Sequence, residues 1–301
     1  MTSLTLGFIG LGIMGRPMVQ NLLTAGFAVH VYSTHGDDIE KMVAAGAIGQ
    51  SCPKDVAAQA DITITMVPNT SNVEAALFGA DGVIESLGPS KIVVDMSTIS
   101  SIATREFAKR IASTGAHMLD APVSGGDTGA AAGTLSIMVG GETDVVARVR
   151  PVFDVLGSRL THVGGNGAGQ VVKSCNQTLA AATVAALCEA LVIGAKSGVE
   201  AGKIVEVLSA GYARCGALDI RGAALVERDF NPGFKSKLQY KDLGLAVELA
   251  RGVEAPTPVL AVVHELYKSA QAIASGDEDH TNVLRVLESL AGLDTTTGAL
   301  A

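Results

Sequence analysis

Short runs of β-branched and other apolar residues alternate with Ala-rich segments through the first half of the chain. The runs are continuously apolar, which is typical of parallel strands that are buried on both faces of a sheet. The segments between them have the length and composition of helices. This alternation predicts an α/β domain built on a Rossmann-type, doubly wound sheet. The predicted strands are Thr5–Ile9, Ala28–Tyr32, Ile62–Val67, Lys91–Met96, His117–Leu119, Leu135–Val139 and Leu160–Val163, and the predicted helices include Met14–Ala25, Ile39–Ala45, Lys54–Ala60 and Ile102–Thr114.

The pattern changes after the glycine-rich segment 164–169, because only helical patterns follow it. We therefore predict a dinucleotide-binding domain over residues 1–165 and an all-α domain for substrate binding and oligomerisation over residues 166–301. The stretch from Gln170 to Lys196 carries small side chains on every face and few charges. It predicts a long central helix that joins the domains and that a partner subunit covers, in a homo-oligomer such as a dimer or tetramer. Breaks between the later helices are predicted near Gly198, Gly211, Gly216, Pro232, Pro256, Pro258 and Gly276.

Composition and charge exclude several classes of function. The chain has 22 Lys and Arg against 30 Asp and Glu, a net charge of −8, which argues against binding to nucleic acid or to anionic lipid. The apolar stretch from Leu179 to Ala195 is Ala-rich and contains Glu189, so it predicts a buried helix and not a membrane span. The four cysteines form no C-x-x-C pair, and no metal site is predicted. Without a signal peptide pattern at its start, the protein is expected in the cytoplasm.

The first predicted strand is followed at once by Gly10-Leu11-Gly12-Ile13-Met14-Gly15 and a helix. This is the G-x-G-x-x-G pattern in the strand–turn–helix context that dinucleotide binding requires. Gly10 allows the tight turn, Gly12 allows the backbone to approach a diphosphate, and Gly15 allows the helix to pack closely on the strand. The free N–H groups at the helix N-terminus attract the anionic diphosphate. The motif therefore predicts binding of NAD or NADP.

The choice between the two dinucleotides depends on the end of the second strand, where Ser33-Thr34-His35 stands. An NAD site usually has an acidic residue there, and an NADP site has a nearby arginine. The absence of a carboxylate before Asp37 favours NADP, although the hydroxyl groups could bond either ribose form. Two further loops follow strand ends, where ligands bind in such sheets. Their predicted cofactor-contacting residues are Val67, Pro68 and Thr98.

Candidate catalytic residues lie near the start of the predicted long helix. Lys173 and Asn176 are three residues apart and so share one face. A lysine near the N-terminus of an apolar helix opposes the helix dipole in a poorly solvated place. Both effects favour the neutral amine and suit a general acid or base. Ser124-Gly125-Gly126 offers backbone N–H groups and a hydroxyl to a small carboxylate.

Together these motifs resemble the β-hydroxyacid dehydrogenase family, and they occur in the family's order along almost the whole chain. They are residues 8–15, residues 120–126, residues 167–176 and Lys241-Asp242-Leu243. The resemblance implies reversible hydride transfer between NAD(P) and a short 3-hydroxy acid, with Lys173 as general acid and base. It implies that Ser124, Gly125 and Gly126 hold the substrate carboxylate. It also implies that Asn176 orients the substrate and that Lys241 contacts cofactor or substrate.

Within the family the chain is most similar to the members that reduce tartronate semialdehyde to glycerate, notably at residues 65–69, 95–98 and 230–234. It departs from them at residues 211–216, where Arg214 could select a second acidic group on the substrate or could be an ordinary surface arginine. Alternative substrates are 3-hydroxyisobutyrate, succinic semialdehyde or glyoxylate, 2-(hydroxymethyl)glutarate and sulfolactaldehyde. A non-catalytic dinucleotide-binding regulator is the alternative from another class.

Overall fold

The computed structural model describes residues 4–297, and the chain divides into two compact units. The first unit ends at Lys173 and the second begins at Ser174. In the first unit the strands are β1 (Thr5–Ile9), β2 (Ala28–Tyr32), β3 (Ile48–Gly49), β4 (Ile62–Thr65), β5 (Ile92–Asp95), β6 (His117–Asp120), β7 (Val123–Ser124), β8 (Leu135–Gly140) and β9 (Gly157–Gly164). Its helices are α1 (Gly15–Thr24), α2 (Gly36–Ala44), α3 (Pro53–Gln59), α4 (Thr70–Phe78), α5 (Ser101–Ala112), α6 (Gly126–Ala132) and α7 (Thr143–Leu156).

The nine strands form one sheet in the order β3-β2-β1-β4-β5-β6-β8-β7, with β9 paired to β8. All pairs from β3 to β6 are parallel, whereas β8 runs antiparallel to β6 and β7. The chain crosses from one side of β1 to the other between β3 and β4, which makes the gap between β1 and β4 a topological switch point. The prediction of a Rossmann-type doubly wound sheet is confirmed.

Successive side chains of the central strands point to opposite faces of the sheet, and both faces carry a hydrophobic core. On β5, for example, Ile92 and Val94 belong to one core, whereas Val93 belongs to the other. On β6, Leu119 belongs to the same core as Ile92, and Met118 belongs to the same core as Val93. Burial on both sides explains why these strands are continuously apolar in sequence.

The second unit is helical. Its elements are the greater part of α8 (Ala168–Lys196), which begins in the first unit, and then α9 (Ala201–Ala210), α10 (Gly216–Glu227), α11 (Ser236–Gly252), α12 (Pro258–Ile273) and α13 (Val283–Leu290). A separate core forms around buried residues such as Leu218, Leu243 and Tyr267. An all-α second part was predicted, and the fold class is confirmed as a whole.

Helix α8 is the one helix in residues 4–297 that is long and apolar enough, by length and composition, to cross a membrane. Of its most apolar 18-residue window, 39% is buried in the single chain. Its N-terminal turns are well buried at Gln170, Lys173 and Ser174. Further along the helix, Leu179 and Ile193 are exposed.

Candidate active site

Four neighbouring parallel strands end in register at one edge of the sheet. Ile9 of β1 pairs with Thr65 of β4, Thr65 with Asp95 of β5, and Asp95 with Asp120 of β6. The loops that follow these four ends therefore start side by side. They contain the predicted cofactor residues Gly10, Leu11, Gly12, Ile13, Met14, Val67, Pro68 and Thr98. The loop after β6 leads at once into β7, which ends at Ser124 and is followed by Gly125.

The three glycines of the G-x-G-x-x-G motif differ in what a side chain would meet at each position. Gly10 has a φ of +105°, and a Cβ there would collide with the carbonyl oxygen of Met66. A Cβ on Gly15 would collide with the carbonyl oxygen of Gly10. A Cβ on Gly12, by contrast, would meet nothing within 4 Å. Gly10 and Gly15 are thus required by the turn itself, whereas Gly12 faces open space.

The start of α1 is suited to the diphosphate of a dinucleotide. Met14 stands at the N-cap without a side-chain capping bond, and the first turn contains no acidic residue. The N–H of Arg16 already donates to the carbonyl oxygen of Gly12 at 3.1 Å, and Pro17 has no N–H. The backbone N–H groups offered to an anion are therefore those of residues 12–15, beside the open space at Gly12. The residues present fit NAD(P), which the backbone from Gly12 to Gly15 would hold.

The predicted cofactor-selecting residue, Ser33, is almost fully buried directly after β2. Its hydroxyl accepts a hydrogen bond from the N–H of His35 at 3.3 Å. Arg16 of α1 forms an ion pair with Asp38 in the first turn of α2, with 2.9 Å between Nη1 and Oδ1. Sequence reasoning did not connect Arg16 with this part of the chain, because Arg16 stands on α1 and its partner lies 22 residues later on α2.

The loops after β4 and β5 are tied together. The N–H of Val67 donates to Oγ of Ser97 at 2.9 Å, and the N–H of Ser97 donates to Oδ1 of Asp95 at 3.1 Å. The hydroxyl of Thr65 donates to the same carboxylate oxygen at 2.8 Å. Burial raises the pKa of Asp95 to about 6, while the hydrogen bonds from Ser97 and Thr65 oppose the rise. The charge of Asp120 also contributes to it.

The carboxylate of Asp120 holds the start of α8. It accepts hydrogen bonds from the N–H of Gly167 at 2.7 Å and from the N–H of Gln170 at 3.0 Å. Burial raises the pKa of Asp120, although these backbone bonds act to lower it. One turn further, Lys173 is 7% exposed, and its Nζ donates to the carbonyl oxygen of Val123 at 2.7 Å. Since Val123 precedes Ser124, the lysine amine lies next to the predicted carboxylate-binding segment.

In that segment Ser124 is half-buried on β7, and Gly125 and Gly126 have φ angles of +137° and +64°. These backbone conformations favour glycine. A Cβ on Gly126 would meet nothing within 4 Å, so its backbone also borders open space. The arrangement suits a small anion that approaches the backbone closely.

In the second unit, two other predicted residues belong to one polar chain. Nδ2 of Asn176 donates to Oε1 of Gln177 at 2.8 Å, and Nε2 of Gln177 donates to Oδ2 of Asp242 at 2.7 Å. Nζ of Lys241 lies 3.0 Å from Oδ1 of Asp242. Sequence reasoning did not identify the linking role of Gln177 and Asp242.

Arg214, the remaining predicted residue, is not part of that chain of contacts. Its side chain is 66% exposed, and Nε lies 3.1 Å from Oδ1 of Asp219. Within residues 4–297, no group of three or more His, Cys, Asp or Glu side chains is placed to hold a metal ion.

Comparison with known proteins gives matches along both parts of the chain. Residues 5–164 match the NAD-binding domain of 6-phosphogluconate dehydrogenase, and residues 167–287 match the NAD-binding domain of NADP-dependent 3-hydroxyisobutyrate dehydrogenase. The 2-hydroxy-3-oxopropionate reductase of Escherichia coli (strain K12) is 42% identical over 286 residues, which cover 95% of this chain and 98% of that protein. The 2-(hydroxymethyl)glutarate dehydrogenase of Eubacterium barkeri is 38% identical over 299 residues, which cover 98% of this chain and 99% of that protein.

A solved structure of Mycobacterium tuberculosis 3-hydroxyisobutyrate dehydrogenase with L-serine is similar, with a TM-score of 0.88 and 33% sequence identity. The match covers 95% of this chain and 99% of that one.

Proposed function

The chain belongs to the β-hydroxyacid dehydrogenase family, as an NAD(P)-dependent oxidoreductase, and we propose that it reduces tartronate semialdehyde to glycerate with Lys173 as general acid. The family resemblance inferred from the motifs is confirmed. The observation that carries the proposed chemistry is the buried amine of Lys173, held by the carbonyl of Val123 next to Ser124.

The reaction adds a hydride to the aldehyde carbon and a proton to the aldehyde oxygen. Bound NAD(P)H supplies the hydride. The ammonium form of Lys173 gives one proton to the aldehyde oxygen and becomes a neutral amine, which then regains a proton from solvent. In the oxidative direction the neutral amine takes the alcohol proton.

The substrate carboxylate would be bound by the Ser124 hydroxyl and the backbone N–H groups of Gly125 and Gly126. The open space at Gly126 and the two positive φ angles support this assignment. From the family resemblance, we assign to Asn176 the orientation of the substrate and to Lys241 a contact with cofactor or substrate. Their shared hydrogen-bonded chain through Gln177 and Asp242 supports a common role.

The choice of tartronate semialdehyde is supported by the 42% identity to the E. coli reductase. A second candidate is the semialdehyde of 2-(hydroxymethyl)glutarate, supported by the 38% identity to the E. barkeri enzyme. That substrate has a second carboxylate, and we propose Arg214 as the residue that would select it. Its exposed guanidinium and its pairing with Asp219 leave room for such an exchange of partners.

We also propose a cytoplasmic homo-oligomer, a dimer or tetramer in which a second copy covers α8. Leu179 and Ile193 on that helix are 70% and 67% exposed in the single chain. Apolar side chains in such positions are typical of a subunit interface. Light scattering of the parent and of a Leu179→Glu variant tests this, and a monomeric parent would overturn it.

The decisive test of the mechanism is Lys173→Met, which keeps an unbranched side chain one atom shorter and removes the amine. We expect turnover of tartronate semialdehyde to fall about 10²–10⁴-fold, the usual contribution of general acid–base catalysis. Dinucleotide affinity should be unchanged. Lys196→Met is the matched control, because Lys196 lies on the same helix but in its last turn, where Nζ bonds the carbonyl oxygen of Ala291. Retained turnover in Lys173→Met would refute the mechanism, whereas a parent protein that binds the dinucleotide but turns over no aldehyde would favour the non-catalytic alternative.

The substrate assignment needs a separate measurement. Purified enzyme with NADH or NADPH should be assayed with tartronate semialdehyde, succinic semialdehyde, methylmalonate semialdehyde, glyoxylate and the semialdehyde of 2-(hydroxymethyl)glutarate. We expect the highest kcat/KM for tartronate semialdehyde. A higher value for any other aldehyde reassigns the substrate without changing the role of Lys173.

A further inference from the structure

The side chain of Gln170 makes two hydrogen bonds to a loop far away in the sequence. Its Oε1 accepts from the N–H of Ile99 at 3.1 Å, and its Nε2 donates to the carbonyl oxygen of Ser97 at 2.8 Å. The side-chain amide thus bonds the loop as a neighbouring strand would, with one donor and one acceptor. Gln170 is 1% exposed, so neither bond competes with water.

The loop that Gln170 holds is one of those predicted to contact the cofactor. Thr98 stands between the two bonded residues, so the two hydrogen bonds fix the peptide groups on both sides of it. Ser97 extends the connection, since its hydroxyl accepts from the N–H of Val67 in the loop after β4. Both predicted cofactor-contacting loops are therefore joined to Gln170.

At its other end Gln170 belongs to the helix that carries Lys173. The two residues are three apart on α8 and share one face. The backbone N–H of Gln170 is itself held by Asp120, and the Lys173 amine is held by the Val123 carbonyl. Backbone and side chain of Gln170 are thus both fixed, one to β6 and the other to the loop after β5.

We propose that Gln170 is a positioning residue that fixes the cofactor-contacting loop at Thr98 relative to the Lys173 amine, and so sets the geometry of hydride and proton transfer. The inference rests on the proposed function, because it needs Lys173 to act on the aldehyde. Gln170 itself touches neither reacting atom in this scheme. It acts through the loop and through the helix.

The test is Gln170→Met, which keeps the volume of the side chain and removes both hydrogen bonds. We expect the rate constant of hydride transfer, measured in a single turnover by the loss of nicotinamide absorbance, to fall about 100-fold. This is the effect that a displacement of about 1 Å has on a reaction that depends on alignment. The Kd of the dinucleotide and the KM of the aldehyde should stay within twofold of the parent values. A purely structural role would instead lower Tm and leave the single-turnover rate constant of the folded protein unchanged.

Two further variants keep the test decisive. Gln170→Leu also removes both hydrogen bonds with an apolar side chain, so its loss of rate should match that of Gln170→Met, and it stands in if the latter fails to fold. Gln271→Met is the matched control, because Gln271 of α12 also donates two hydrogen bonds, to Ser236 and Tyr267. This control should have the parent rate constant.

The inference is overturned if folded Gln170→Met, or folded Gln170→Leu in its place, has the parent rate constant. It is overturned equally if the loss lies in dinucleotide Kd or in KM alone. Lys173→Met in the same assay separates the two claims. An active Lys173→Met removes the proposed function, whereas an inactive Lys173→Met beside a fully active Gln170→Met removes only the role of Gln170.

Discussion

Replacing Asp95 by Asn removes a carboxyl group that lies completely buried at the end of β5. The Asn oxygen can still accept the hydrogen bonds that Oδ1 receives from Thr65 and Ser97. The Asn amide would occupy the place of Oδ2, a buried atom with no hydrogen-bond partner. The amide therefore carries a constant penalty of about 1–3 kcal/mol for an unsatisfied donor. What distinguishes the variant is the pH dependence of its stability.

The magnitude follows from the pKa of Asp95. Burial raises it from 3.8 to about 6, which corresponds to about 3 kcal/mol against the charged form in the folded protein. Below pH 3.8 the carboxyl is neutral in both the folded and the unfolded state, and no penalty exists. As the pH rises to about 6 the penalty develops, and above that value it is complete. The parent protein therefore loses stability as the pH rises through this range. The variant does not lose it in this way, because Asn cannot ionise.

The assay is urea unfolding of parent and Asp95→Asn at a series of pH values from 4 to 7. The free energy of unfolding of the variant minus that of the parent should rise by about 2 kcal/mol over this range, whatever its absolute value. Asp144→Asn, an exposed position at the start of α7, controls for the same chemical change at the surface. If the difference in the free energy of unfolding stays constant or falls as the pH rises, burial does not oppose the ionisation of Asp95, and the reasoning is refuted.

The remaining predictions concern the cofactor and the substrate. Gly12→Ala should raise the Kd of the dinucleotide in calorimetry without changing the Tm of the unliganded protein, because the added Cβ meets nothing within 4 Å. Gly15→Ala should instead lower Tm, because its Cβ collides with the Gly10 carbonyl. An unchanged Kd for Gly12→Ala would contradict the diphosphate assignment. Asp38→Ala should raise the ratio of kcat/KM for NADPH over NADH by about fivefold. The change releases Arg16 from a partly exposed ion pair worth about 1 kcal/mol and frees it for the 2′-phosphate. A constant ratio would show that Arg16 does not approach the 2′-phosphate. Arg214→Ala should lower kcat/KM for a dicarboxylic semialdehyde about tenfold relative to tartronate semialdehyde, because a charge-assisted hydrogen bond is worth about 1.5–3 kcal/mol. If the substrate profile is the same in both proteins, Arg214 is an ordinary surface residue.

The parts of the fold that could be predicted from sequence are those that depend on local patterns. The strand–turn–helix at Gly10 to Gly15 is defined by adjacent residues, and the structure has β1 and α1 where they were expected. The strands β3 and β7 were missed, because two residues cannot show a periodicity. The strand predicted at Leu160–Val163 is longer than expected, since β9 runs from Gly157 to Gly164.

Contacts between distant segments could not be predicted in the same way. The position of Lys173 after a glycine-rich loop was enough to single it out. Its bond to Val123 could not be predicted, because Val123 lies 50 residues earlier in the chain. Gln170 was passed over for the same reason, because its two partners lie 71 and 73 residues away. Nothing in the composition around a glutamine indicates which loop will fold against it. These partners are set by the packing of α8 on the sheet edge.

The bond between Lys173 and the carbonyl of Val123 has a consequence for the direction of the reaction. A carbonyl oxygen accepts a hydrogen bond from an ammonium group and, more weakly, from a neutral amine, because both carry N–H. A carboxylate in its place would bind the ammonium form far more strongly and would hold back the proton. Through the Val123 carbonyl, the lysine amine keeps this hydrogen bond in both protonation states. The same side-chain position would then serve both aldehyde reduction and alcohol oxidation, and the ratio of dinucleotides and substrates would decide which one runs.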